Sequence, residues 1–97
     1  MSMAQIIEQE ARLFILEQLE AERDGRSTAE RLRHSLRELR IINKPIEWVR
    51  TQLIWLSDMG AVVVLTSRPA MIVEITEAGR AHLDRSEPIL GVKRAEA

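Results

Sequence analysis

Arginine and lysine side chains are the groups in this sequence best suited to bind a ligand, because they cluster in one segment. Residues 23–44 contain seven bases and three acids, whereas residues 1–22 contain five acids and one base. Clustered bases can contact the phosphates of nucleic acid, which gives affinity without reading the base sequence. The alternative is a solvated helix surface paired with Glu30 and Glu38. The candidate phosphate contacts are Arg31, Arg33, Arg37, Arg40, Lys44 and Arg68.

Side chains with the spacing of a catalytic or metal site are missing from the sequence. His34 and His82 are far apart and there is no cysteine, so we expect surface histidines, no metal and no thiol chemistry. Glu47 and Asp58 share a helix face, but they lie about 16 Å apart along the axis, too far for a paired acid and base. The four glycines are isolated, which excludes a glycine-rich phosphate loop. We therefore predict a protein that is not an enzyme and binds no cofactor.

The composition is that of one small domain. The chain has 97 residues, of which 45% are apolar and 30% charged, and its net charge is −1. This length fits a single domain, and the near-neutral total does not by itself indicate a nucleic-acid binder. The apolar runs are far shorter than the ~20 residues of a membrane helix, and the first residues lack the pattern of a signal peptide. We expect a cytoplasmic protein that does not associate with a membrane.

Apolar spacing predicts three helices, over residues 3–22, 28–40 and 45–59. The first is apolar on more than one side, which favours contact with a second copy as well as with its own core. Ser27 and Glu30 have the spacing of a capping box for the second helix, and Pro45 suits the first position of the third. The residues predicted to face the core from the second and third helices are Ala29, Leu32, Leu36, Leu39, Ile46, Val49, Leu53 and Leu56.

The second half of the chain predicts a hairpin and a short helix. Residues 61–66 and 71–75 are β-rich and flank a turn, and Thr76 is a suitable N-cap for a final helix. Residues 86–97 show little periodicity and are predicted to form a tail, whose order the sequence does not specify. The predicted fold is mainly α with a small β-hairpin, in one domain over residues 1–85.

Two local sequences resemble the winged-helix (winged helix-turn-helix) superfamily, which has this same order of helices and hairpin. Residues 49–62, VRTQLIWLSDMGAV, are similar to its third helix and the entry into its wing; residues 75–80, ITEAGR, are similar to the segment after the wing. The resemblance covers about residues 27–85 and implies a three-helix core, a two-stranded wing and a short C-terminal helix. The whole chain, including PILGVKR at residues 88–94, also resembles small winged-helix proteins of Mu-like phages and prophages, which implies no defined activity.

The superfamily resemblance implies a DNA-binding regulator whose third helix enters the major groove. At about 100° per residue, Glu47, Arg50, Thr51, Ile54 and Asp58 lie on the outer face of that helix. Two carboxylates there are unfavourable beside phosphates, which favours the alternative, a protein-interaction or dimerisation module that does not bind DNA. We rank double-stranded DNA first and add Arg50 and Thr51 to its candidate contacts. The candidate residues for a homodimer or partner interface are Ile15, Leu16, Leu19, Trp48, Ile54 and Trp55.

Overall fold

A computed structural model of the chain describes residues 1–96 as four helices and a small antiparallel sheet. In chain order the elements are α1 (Met3–Ala21), β1 (Arg26–Thr28), α2 (Ala29–Arg40), α3 (Ile46–Asp58), β2 (Val62–Thr66), β3 (Ile72–Ile75) and α4 (Glu77–Leu83). The predicted class, mainly α with a small β part, is confirmed. None of the helices within the described residues is long and apolar enough to cross a membrane.

The sheet contains one strand more than the predicted hairpin. Its order is β1-β3-β2, and Ser27 of β1 lies opposite Val73 of β3. The capping prediction at Ser27 was therefore wrong, because this residue is a buried strand residue. Thr28 is the N-cap of α2 instead, and its Oγ1 accepts a hydrogen bond from the amide of Arg31. A three-residue strand is too short for alternating hydrophobicity to reveal it.

Local sequence accounts for the starts of the other helices. The Ser2 hydroxyl accepts from the Gln5 amide and the Gln5 side chain accepts from the Ser2 amide, a reciprocal cap for α1. Pro45 is the N-cap of α3 rather than its first helical residue. The Thr76 hydroxyl accepts from the Gly79 amide and caps α4, as predicted.

One apolar core lies between the helices and the inner face of the sheet. Leu32, Leu36, Leu53 and Leu56 are buried in it, as their spacing predicts. Leu39 was also predicted to face inward, but it is 61% exposed. It stands in the last turn of α2, at the edge of the inward stripe, where the helix no longer covers the core.

The residues after α4 pack on the domain. Val92 is buried in the core, and its neighbour Lys93 donates its backbone amide to the backbone oxygen of Gln9 in α1, at 3.1 Å. We call residues 86–96 the C-terminal segment. The contacts described below hold this segment against α1, α3 and α4.

Candidate nucleic-acid interface

The outer face of α3 is open, as its periodicity predicts. Glu47, Thr51, Ile54 and Asp58 are exposed, and Ile54 is 49% exposed. Arg50 is half-buried, and its Nη2 donates to the backbone oxygen of Ser67 at 3.3 Å. This contact ties the turn between β2 and β3, which we call the hairpin tip, to the N-terminal half of α3.

Bases from α2 and the following turn lie beside the start of α3. The Nε of Arg33 donates to the backbone oxygen of Lys44 at 2.9 Å, which holds the arginine next to the turn that enters α3. The Lys44 ammonium lies 5.6 Å from the centre of the Trp48 ring, a cation–π distance. Arg37 follows Arg33 by one helical turn and lies 3.4 Å from the Nδ1 of His34. No carboxylate within the described residues pairs with Arg33, Arg37 or Lys44.

The hairpin tip adds a further exposed base to this side of the molecule. Arg68 is exposed, and its backbone oxygen accepts from the Thr66 hydroxyl at 3.0 Å. Since Arg50 binds the neighbouring Ser67, the tip and the outer face of α3 are contiguous. We use the term α3-side bases for Arg33, Arg37, Lys44, Arg50 and Arg68.

Two of the predicted phosphate contacts are paired with carboxylates instead. Arg31 forms an ion pair with Glu22 at 3.4 Å, and Arg40 forms one with Glu17 at 3.8 Å. The Arg40 guanidinium also lies 5.0 Å from the ring centre of Phe14. These partners belong to α1 or directly follow it, and their carboxylates neutralise Arg31 and Arg40, which sets these two apart from the α3-side bases. We call the two residues the α1-side bases.

The predicted partner interface is corrected at three positions. Ile15, Leu16 and Leu19 are fully buried in the chain's own core, so they offer no surface to a second molecule. Their intrachain contacts explain why α1 is apolar on several sides. Trp48 and Trp55 are half-buried against the same core. Ile54 is the one interface candidate with a largely exposed side chain.

His82 was predicted to be a surface histidine, and this was wrong, because only 1% of the residue is exposed. Its Nδ1 accepts from the backbone amide of Ile89 at 2.9 Å. The Nε2 atom, 2.8 Å from the backbone oxygen of Lys93, therefore carries the proton and donates it. Both ring nitrogens are engaged in holding the C-terminal segment, so His82 has no free donor or acceptor for a ligand.

A cluster around the half-buried Arg12 and the buried Gln52 connects α1, α3 and the C-terminal segment. The Arg12 Nε donates to the Gln52 side-chain oxygen and its Nη1 donates to the backbone oxygen of Gly91, both at 2.9 Å. The guanidinium lies 3.8 Å from the centre of the Trp55 ring. Burial lowers the pKa of the Arg12 guanidinium, and the nearby Glu8 carboxylate opposes this shift. Sequence reasoning missed this group because its members come from three separate segments.

The described residues contain no other arrangement suited to chemistry. No group of three or more histidine, aspartate or glutamate side chains among residues 1–96 is placed to hold a metal ion. An open groove beside α1 has Phe14 in its wall. The rim cations Arg40 and Lys93 are each paired with a glutamate, and Glu96 adds a further carboxylate. This groove therefore has no spare base for an anionic ligand.

Comparison of the chain with protein-family models, curated proteins and solved structures gave no match. The assignment of a function therefore rests on the side chains described above. Arg23, Arg85 and Arg94 are exposed without an ion pair among residues 1–96 as well, but the α3-side bases are grouped around one exposed helix face.

Proposed function

We propose that this chain is a small winged-helix protein of phage type that binds double-stranded DNA and catalyses no reaction. One observation carries the proposal: the α3-side bases come from α2, the turn, α3 and the hairpin tip, and they border one exposed helix face without carboxylate partners. The order of helices and hairpin is the order that the superfamily resemblance implies. In this proposal α3 enters the major groove.

The bases have separate roles according to their position. Arg33, Arg37 and Lys44 contact phosphates beside the start of α3, and Arg68 contacts the backbone from the hairpin tip. These contacts supply affinity and orientation, not sequence recognition. Four of these five side chains reach DNA from outside α3, so the helix itself needs few basic residues.

The outer face of α3 can make a few contacts with the edges of the DNA bases. The Thr51 hydroxyl, which donates to the backbone oxygen of Glu47 at 2.9 Å, can rotate to a base edge. Ile54 can contact a thymine methyl group, and the Glu47 carboxylate can accept from the amino group of cytosine. Asp58 is the last residue of α3, and the helix must therefore enter the groove by its N-terminal half.

Titration of a labelled duplex with the purified protein at several salt concentrations tests this proposal. Each phosphate contact contributes about −0.9 to the slope of log Kobs against log salt. Five α3-side bases therefore predict a slope of roughly −4.5. A slope near this value supports the proposed contacts, whereas no binding at low salt and high protein concentration contradicts the proposal.

A protein-interaction module that does not bind DNA is the second candidate, and the exposed Ile54 between two carboxylates, Glu47 and Asp58, favours it. The variant Ile54→Lys separates the two functions. If α3 binds DNA, the added charge strengthens non-specific binding to duplex DNA. If α3 binds a protein, the charge abolishes association and leaves the protein without affinity for DNA.

A further inference from the structure

The buried ring of His82 bonds two separate points of the C-terminal segment. Its Nδ1 accepts from the Ile89 amide at 2.9 Å, and its Nε2 donates to the Lys93 backbone oxygen at 2.8 Å. A neutral imidazole has one free lone pair and one N–H group, so it satisfies both partners at once. The ring therefore closes the segment onto α4 only in its neutral form.

A second proton on this ring breaks the match with the segment. The proton goes to Nδ1, so that the ring and the Ile89 amide become two donors facing each other. The new charge is also buried, because only 1% of His82 is exposed and the ion pairs of residues 1–96 do not include it. An unpaired charge is strongly destabilising in the interior of a protein. A protonated ring therefore needs water, which the closed segment excludes.

The other contacts of the segment are local and come from α1 and the core. The Arg12 guanidinium donates to the Gly91 oxygen at 2.9 Å, and the Lys93 amide donates to the Gln9 oxygen at 3.1 Å. Val92 is buried in the core. A short terminal segment with such contacts opens at a lower free energy than the whole domain unfolds. Loss of the two imidazole bonds therefore shifts the segment from closed to open while the domain stays folded.

The charged groups around this junction belong to classes that titrate outside the neutral range. Carboxylates take up protons near about pH 4, and guanidinium and ammonium groups release theirs above about pH 10, whereas imidazole titrates between about pH 5 and 8. Hydrogen bonds from the side chain and the backbone amide of Ser86 lower the pKa of the Asp84 carboxyl further. The helix α3 contributes Gln52 and Trp55, which do not ionise. The charged side chains are Glu8, Glu10 and Arg12 of α1, Arg80 and Asp84 at α4, and Lys93 of the segment.

We propose that residues 86–96 form a pH-sensitive strap, which a neutral His82 holds closed on α1, α3 and α4 and a protonated His82 releases. The open form binds one proton more than the closed form, so acid favours opening. The ratio of closed to open form is constant above the range where free imidazole titrates, about pH 6.5, and falls up to about ten-fold per pH unit below it. Opening exposes the ring of Trp55, against which Gly91 lies so closely that a Cβ atom there would be 2.6 Å from it.

Amide exchange and the ring-nitrogen signals of His82, followed by NMR from about pH 8 to about pH 5, test this proposal. Each exchange rate is divided into the rate of an unstructured peptide at the same pH, which gives a protection factor. The protection factors of the Ile89 and Lys93 amides are expected to fall about ten-fold per pH unit below about pH 6. The ring of His82 is expected to gain its second proton over the same range. The Leu36 amide of α2 is expected to stay more protected than either, because the domain remains folded.

Two matched variants separate the two histidines. His82→Gln cannot gain a proton, but its side-chain nitrogen can still donate to the Lys93 oxygen. The strap is then held less tightly at neutral pH, and its protection factors are expected to be equal at about pH 7 and about pH 5. His34→Gln removes the exposed histidine of α2, and it is expected to keep the wild-type response.

A wild-type strap that keeps its full protection at about pH 5 overturns the proposal, as does a His82→Gln variant that still opens in acid. Equal protection of the Ile89 and Leu36 amides in acid also overturns it, since the whole domain would then be unfolding. If circular dichroism shows that His82→Gln does not fold, the wild-type measurements decide alone. None of these measurements involves DNA, so their outcome is independent of the proposed function.

Discussion

The two sides of α3 use polar side chains in opposite ways. On one side Gln52 accepts from Arg12 of α1, and the same guanidinium lies over Trp55 and donates to Gly91 of the C-terminal segment. On the other side Thr51 and the α3-side bases remain at the surface. Buried polar groups must be hydrogen-bonded within the protein, so the first side is committed to structure. The second side is the one available to a ligand.

The arginines of α2 show the same contrast at shorter range. Arg31 and Arg33 are two residues apart and point to opposite sides of the helix. Arg31 meets Glu22, whereas Arg33 meets a backbone oxygen at the entrance to α3. In the folded chain the basic segment therefore divides into two sets of charges. Carboxylates of α1, or of the residue after it, neutralise one of these sets.

The largest expected effect on stability comes from Leu53, the core residue that supports both sides of α3. Leu53 is fully buried in α3, and Leu53→Ala should lower the free energy of unfolding by roughly 2–5 kcal/mol through lost burial and a cavity. Urea denaturation measures this. The neighbouring Ile54→Ala is the control, and its exposed position predicts a change within about 0.5 kcal/mol. Equal losses in the two variants would mean that α3 faces another way.

The next largest effect, that of His82→Ala, separates the side of α3 that holds the C-terminal segment from the side proposed to bind DNA. His82→Ala leaves the Ile89 amide and the Lys93 carbonyl without partners, which should cost about 1–3 kcal/mol each if they stay buried, and less if the C-terminal segment detaches. The same denaturation experiment measures the loss, and faster exchange of the Ile89 amide locates it. DNA affinity at a temperature where the variant is folded should not change. A fall in affinity without a fall in stability would place His82 on the binding side.

A smaller, purely electrostatic effect is expected at the hairpin tip. Arg68→Gln removes one proposed phosphate contact, so the salt slope of DNA binding should become shallower by about one. Because Arg68 is exposed and forms no ion pair within residues 1–96, the unfolding free energy should stay constant. An unchanged slope would remove the tip from the interface.

The smallest effect is expected for an α1-side base. Arg31→Gln breaks an exposed ion pair with Glu22, and such pairs contribute at most about 1 kcal/mol. Thermal denaturation should therefore show only a slight change in Tm, and the salt slope of DNA binding should equal that of the wild type.

Local features were predictable and long-range ones were not. The helices and the Thr76 cap follow from residues within a few positions of one another, and these predictions are confirmed. The strand β1 exists because Ser27 pairs with Val73, far along the chain, and three residues leave no periodic trace. Burial of His82 depends on the C-terminal segment folding back, which its composition does not indicate.

The candidate site was predictable in part. Periodicity placed Thr51 and Ile54 on the outer face of α3, where they are exposed. The same periodicity showed that the bases of α2 lie off its inward stripe, but not which of them α1 would meet. That distinction depends on how the helices pack, because Glu17 and Glu22 reach α2 only in the folded chain.

The account is tested most directly by DNA binding of two double variants with the same change in charge. One is Arg33→Gln with Lys44→Gln, from the α3-side bases; the other is Arg31→Gln with Arg40→Gln, the α1-side bases. Both are titrated with the same duplex across the same salt series. We expect the first to bind more weakly, with a salt slope shallower by about two, and the second to bind as the wild type does. Equal losses in both variants would mean that affinity follows total charge, and would contradict a defined interface at α3.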